Sequence, residues 1–138
     1  MARYTNNAIY SRIRSAVVAV VSTAYTTQTY TPTIAKFPCV FAREIGRLTP
    51  QNTITISNAQ DISESTWEVQ VFSNVSGGAK EQAYTIMDAV KGAMRKLYYA
   101  ETFESPIEQT DKTIYCLVAR FRRTIGSGEE MPSTVISA

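Results

Sequence analysis

The chain has 138 residues, 14 Lys and Arg against 12 Asp and Glu, a net charge of +2 and 44% hydrophobic residues. That suffices for one domain with one core; it is too apolar for a disordered chain, and its net charge is too small to imply a nucleic-acid binder by bulk electrostatics. The chain has no histidine, which removes the commonest general base and transition-metal ligand and excludes histidine-dependent triads and zincin sites.

Met1-Ala2-Arg3-Tyr4 opens polar, without the apolar core of a secretory signal. Asn6 or Asn7 can cap a first helix, because its side-chain oxygen accepts from exposed backbone N–H groups. Ile9, Ile13, Ala16, Val17, Val20 and Ala24 then recur at helical spacing. The apolar run at 16–21 is far shorter than the ~20 residues of a membrane helix, so it reads as a buried helix face. Residues 24–33, rich in Thr and Tyr, read as an extended connector. Phe37, Cys39, Phe41 and Ile45 alternate with Pro38, Ala42 and Glu44, which predicts a strand with its odd positions inward, ended by Gly46.

Residues 47–65 permit two readings. One is a weak strand at Thr53-Ile54-Thr55-Ile56 between polar loops. The other is a mobile arm over 47–61 that orders against a neighbouring subunit. Beyond it, Trp67, Val69 and Val71 face one side of a strand, with Glu68 and Gln70 opposite. Residues 74–78 form a turn, with Ser76 as a helix cap. Ala79, Ala83, Ile86, Met87, Val90, Met94 and Leu97 make the stripe of a second helix ending near Tyr98. Its basic residues gather late, which suits the negative end of a helix. Residues 101–112 allow a short edge strand. The last strand covers 113–125, apolar on both faces at first and basic on one later, as for a central strand leaving the core. Residues 127–138 read as a flexible tail. This order implies a single two-layer α+β domain, a mainly antiparallel sheet with two helices packed on one face.

Chemistry is sparse. Cys39 and Cys116 lie in apolar runs and are expected as reduced buried thiols of a protein assembled in cytoplasm. A disulfide between neighbouring strands is the alternative. Ser76-Gly77-Gly78-Ala79-Lys80 lacks the spacing of a phosphate loop, since Ala79 separates Gly78 from Lys80 and Glu81 stands where a hydroxyl belongs. The acids Asp61, Glu64, Glu68, Glu129 and Glu130 lie in polar segments with no nucleophile implied. No catalytic residue, cofactor or metal is therefore expected. Arg120, Arg122 and Arg123 form the sharpest basic cluster, the first two on one strand face and the third on the other. They suit contact with an acidic protein surface ahead of a merely solvated strand end, with passing DNA third. Tyr98 and Tyr99 beside Arg95 and Lys96 read as helix-end packing rather than base stacking.

Several elements recur in a set order. Phe37-Pro38-x-Val40 and Thr49-Pro50 precede Trp67-Glu68-Val69-x-Val71-x-Ser73-Asn74. Gly77-Gly78-x-Lys80, a helix with Ile86-Met87 and Met94, and Ser105-Pro106-Ile107 follow. Asp111-x-Thr113-Ile114-Tyr115 and Arg120-Phe121 close the series. In that order and spacing the chain resembles the tail-terminator, or tail-completion, proteins of long-tailed bacteriophages. It departs from the pattern at Cys116, where members often carry a basic residue after the Tyr. The resemblance implies a virion protein at the tail–neck junction, with no enzymatic activity. It would form a homo-hexameric ring that caps the tail tube, stops its polymerisation and joins the tail to a head-side connector or stopper protein. DNA would pass through the ring without specific binding, and no membrane would be involved. Another neck component (a head-completion or connector protein) is the nearest alternative, and a nucleic-acid-binding module the next. Under this reading the contact residues would be Arg47, Thr49, Pro50, Ile54, Ile56 and Asp61 of the arm, with Arg120, Arg122 and Arg123.

Overall fold

A computed structural model describes residues 4–29, 34, 36–48, 62–126 and 131. Thr49, Pro50, Ile54, Ile56 and Asp61 therefore lie outside the described residues, as does most of the stretch read as a tail. The order is α1 (Asn6–Val20), β1 (Tyr25–Thr27), β2 (Cys39–Leu48), β3 (Ile62–Ser73), α2 (Ala79–Lys96), β4 (Ala100–Ile107) and β5 (Tyr115–Gly126). The strands form one sheet in the order β1-β2-β3-β5-β4, antiparallel except for the β1–β2 pair. Both helices lie on one face, α1 over β2 and α2 over β3 and β5. The domain is a two-layer α+β fold, as its periodicities predict.

α1 forms because Ile9, Ile13 and Val17 give it one buried stripe. Its cap is Thr5, not Asn6 or Asn7: the Thr5 Oγ1 accepts from the Ala8 N–H at 3.2 Å. Val20 is on the stripe by spacing yet half exposed, because the helix ends there. The connector expected after it contains β1, whose three residues pair in parallel with Cys39, Val40 and Phe41.

α2 buries Ala83, Ile86, Met87, Val90 and Met94, the predicted stripe. Gly78 stands at its cap position instead of Ser76, and makes no side-chain cap bond. The turn before it needs a positive φ at Gly77 (76°), which glycine adopts without steric cost. α2 ends in a Schellman turn, with the Tyr99 N–H donating to the Met94 carbonyl and the Tyr98 N–H to the Arg95 carbonyl, each at 2.9 Å. Tyr98 takes the left-handed backbone there (φ 66°), a position that usually selects glycine.

Register sets the faces. Trp67, Val69 and Val71 of β3 lie opposite Glu44, Ala42 and Val40 of β2 and opposite Phe121, Ala119 and Leu117 of β5. These rows face the helices, and except for Glu44 all are buried. The predicted parity of β2 is thus inverted: even positions enter the core beneath the helices. Cys39 and Phe41 are also buried, but on the opposite face, beside Phe72, Cys116 and Val118. Alternation alone could not choose, because both faces of β2 are apolar at its start. Ile45 is exposed. It sits at a bulge between Glu44 and Gly46, beyond which β2 continues to Leu48 rather than ending at the glycine. β3 begins five residues before Trp67, and β4 is the edge strand the sequence allowed. Met131, within the stretch read as a tail, is buried in the core.

Cys39 and Cys116 are both free, and each pairs in register with Phe72 from opposite sides. One strand therefore separates them, about 10 Å at ordinary strand spacing. A disulfide needs Cα atoms within ~7 Å, so the bridge between neighbouring strands is excluded. Burial pushes the Cys116 thiol up to about 11 and raises that of Cys39. Both thiols should resist a disulfide-exchange reagent at neutral pH and react only on unfolding; immediate titration of either in the native protein would contradict this burial.

Trp67 is the largest fully buried side chain, and among the described residues its indole N–H has no acceptor. Trp67→Ala should lower unfolding free energy in urea by about 3–5 kcal/mol. Trp67→Phe should cost less, because it also removes the unpaired donor. Val20→Ala should change stability by no more than about 0.5 kcal/mol.

Candidate interface corner

The start of α1, the end of α2, the bulged end of β2, the start of β3 and the end of β5 converge at one corner. Across the sheet, Arg47 of β2 and Arg123 of β5 flank Ser65 of β3 on the helix-facing side. Ser65 is fully buried. Its hydroxyl donates to Glu44 Oε2 at 2.5 Å and accepts from the Tyr99 hydroxyl at 2.8 Å. Glu44 Oε2 also accepts from Arg47 Nε at 2.8 Å, and Glu44 Oε1 from Asn6 Nδ2 at 3.5 Å. The guanidinium of Arg123 stands 4.6 Å from the Tyr4 ring centroid and 5.4 Å from that of Tyr98. The Tyr4 hydroxyl donates to the Leu97 carbonyl at 2.9 Å, satisfying a group the end of α2 leaves open.

This constellation is a brace. A buried serine and a partly buried carboxylate, each with its hydrogen bonds made, fix the β2 bulge relative to both helix ends. Burial pushes the Tyr99 phenol up to about 12. The Ser65 bond and the Arg47 charge oppose that rise, while the Glu44 charge adds to it. Ser65 has no imidazole beside it and is held by an acceptor and a donor already, so nucleophilic chemistry is not prepared here. Residues 49–61 join β2 to β3 at this corner, so the segment bearing Thr49, Pro50, Ile54, Ile56 and Asp61 leaves from it and returns to it.

Of the site residues read from the sequence, Arg47 and Arg123 meet at the corner. Arg120 and Arg122 lie on the other face and are each matched by an acid of β3. Arg120 Nε reaches Glu68 Oε2 at 2.9 Å, and Arg122 Nη1 reaches Glu64 Oε1 at 3.8 Å. The three arginines are thus not one basic surface. Tyr4, Glu44 and Ser65 were not singled out in the sequence as site residues, and Tyr99, read there as helix-end packing, is buried at this corner. Parity could have found Ser65, which lies two residues before Trp67 and must share its inward face.

A hollow of about 550 Å³ opens at the Gly77-Gly78 turn, and Lys80, Glu81 and Lys112 stand on its wall. Glu81 in the first turn of α2 occupies the favourable place for a negative charge and opposes binding of a phosphate there. Among the described residues no group of three or more acids and cysteines is placed to hold a metal, and no helix is long and apolar enough to cross a membrane. No protein-family model matches the chain, and a search of curated proteins finds no relative.

Tyr99 makes stability depend on alkaline pH. The unfolded phenol loses its proton near 10 and the folded one near 12. Between those values the unfolded chain binds fewer protons, so stability falls as pH rises. The contribution is whole below pH 10 and gone by about pH 12. Denaturant unfolding across this range should show the fall. Tyr99→Phe should flatten it and, by removing the Ser65 bond, cost about 1 kcal/mol at neutral pH.

Proposed function

We propose that the chain is a structural virion subunit of a long-tailed bacteriophage, a tail terminator. Six copies would close into a ring on the tail tube, stop its growth and present a surface to the head-side connector or stopper. DNA would pass through the ring, and the subunit would carry no catalytic activity or cofactor. The protein would be assembled in the host cytoplasm and reside at the tail–neck junction.

One observation carries the reading. Among the described residues, the strand segments that bear the resemblance form one contiguous unit. Val40 in β2, Trp67–Ser73 in β3, and Tyr115 with Arg120-Phe121 in β5 lie on three adjacent strands, and the glycine turn leads from β3 into α2 above them. A shared order of short motifs means most when those motifs make one packed body. The brace at the corner adds support, since it fixes the two strand ends between which residues 49–61 run. A subunit whose contacts must close a ring needs such an arm to leave from a rigid base. The nucleic-acid reading loses ground, because Arg120 and Arg122 face Glu68 and Glu64 rather than open solvent charge.

Electron microscopy of lysates from a phage lacking this chain tests the proposal. Overlong tail tubes beside separate, filled heads are the expected result. Tails of normal length beside leaking or empty heads would move the protein to the head side of the neck, and intact infectious particles would overturn a structural role.

A further inference from the structure

The two lateral edges of the sheet carry opposite charge, and both expose apolar side chains. At one edge stand α1 and β1. Arg14 and Val18 lie one turn apart on α1, both exposed. The phenol of Tyr10, one turn before Arg14, is raised by burial, lowered by the Arg14 charge, and raised by Tyr25 and Cys39. α1 packs over β2, the strand beside β1, and the chain passes from α1 straight into β1. Tyr25 is exposed there, with Lys36 Nζ 5.5 Å above its ring. α1 itself contains Arg12 and Arg14 and no acid.

At the other edge stands β4. Phe103 and Ile107 are about half exposed on it. Glu101 and Glu104 reach Lys91 at 3.4 and 2.7 Å, so one lysine answers two carboxylates. Glu108 continues the acidic run in solvent. Pro106 on β4 supplies no backbone donor, a device that discourages indiscriminate strand pairing at an edge. Selectivity must then come from side chains.

We infer that the acidic, apolar β4 edge of one copy docks against the basic, apolar α1–β1 edge of the next. This deepens the ring reading and rests on it. The two surfaces differ, so the contact is heterologous and repeats head to tail until the rotation between copies closes it. Like edges repel each other, which disfavours a two-fold dimer through either edge. Tyr25, Val18, Phe103 and Ile107 supply the area removed from water. Arg14 and Lys36 against Glu101 and Glu108 supply the polarity that sets direction.

Two charge-reversed full-length variants test it, Arg14→Glu with Lys36→Glu, and Glu101→Lys with Glu108→Lys. Light scattering on a sizing column reads their mass, and circular dichroism confirms that each is folded. Wild type should assemble at high concentration and loosen as salt rises. Each variant alone should stay monomeric, because its two edges then carry the same sign. Mixed together they should assemble again, since each reversed edge meets the opposite charge on the other variant.

Variants that assemble as wild type does would overturn the edge contact while leaving the ring. Folded monomers that fail to assemble when mixed would overturn it as well. Wild type that remains monomeric at its highest soluble concentration would overturn the edge contact too. The terminator reading is judged separately by tail length in lysates.

Discussion

The structure depends on the double pairing of β3. Every residue from Ile62 to Ser73 has a partner on β5, and most have one on β2 as well. The strand is therefore locked in register from both sides, and slipping by one residue would send Trp67, Val69 and Val71 to the wrong face. These three sit under α2, whose Ile86, Met87 and Val90 are fully buried with them in one core. That single row of side chains couples sheet to helix, and α1 then packs on α2 and β2.

The polar ends of the same strand perform a different task. Ser65 and Ser73 are as deeply buried as the tryptophan, and each spends its hydroxyl on a neighbouring element, Ser65 on Glu44 and Ser73 on Gln82 of α2 at 2.5 Å. Buried hydroxyls are tolerable only when paired. Here the pairing fixes how the β2 bulge and the start of α2 sit against β3. The left-handed backbone at Tyr98 belongs to the same economy. Its strain, on the order of 1 kcal/mol, is offset where the ring meets the Arg123 guanidinium.

Charge is sorted by position. On the face away from the helices, acids of β3 meet arginines of β5, so that surface is nearly self-neutralising. At the lateral edges the signs are separated instead, basic at α1 and at Lys36 beside β1 and acidic along β4. Exposed ion pairs add little stability. Separated signs on opposite edges matter more for orientation between molecules, because they make one relative placement attractive and its reverse repulsive.

Much of this was legible in the amino acids. The helical stripes of Ile9, Ile13 and Val17 and of Ala83 to Leu97 announce two amphipathic helices. The alternation at Trp67, Val69 and Val71 announces a half-buried strand with the correct face inward, because on β3 one face is apolar and the other polar. Arg120 and Arg122 on one face and Arg123 on the other follow from parity alone. The same logic fails at β2, where Cys39 and Phe41 are as apolar as Val40 and Ala42. Only pairing with Val69 and Val71 decides which set meets the helices. β1 could not be read, since three residues of Thr and Tyr carry no period and acquire strand form from the edge they join. The brace of Glu44, Ser65, Tyr99 and Tyr4 was likewise invisible, because its members lie up to 95 positions apart. Local periodicity thus determined the two helices and the cores of the longer strands. Which faces meet, which acid answers each arginine, and where opposite charges end up apart were decided by tertiary structure, because these depend on contacts between residues distant in the chain.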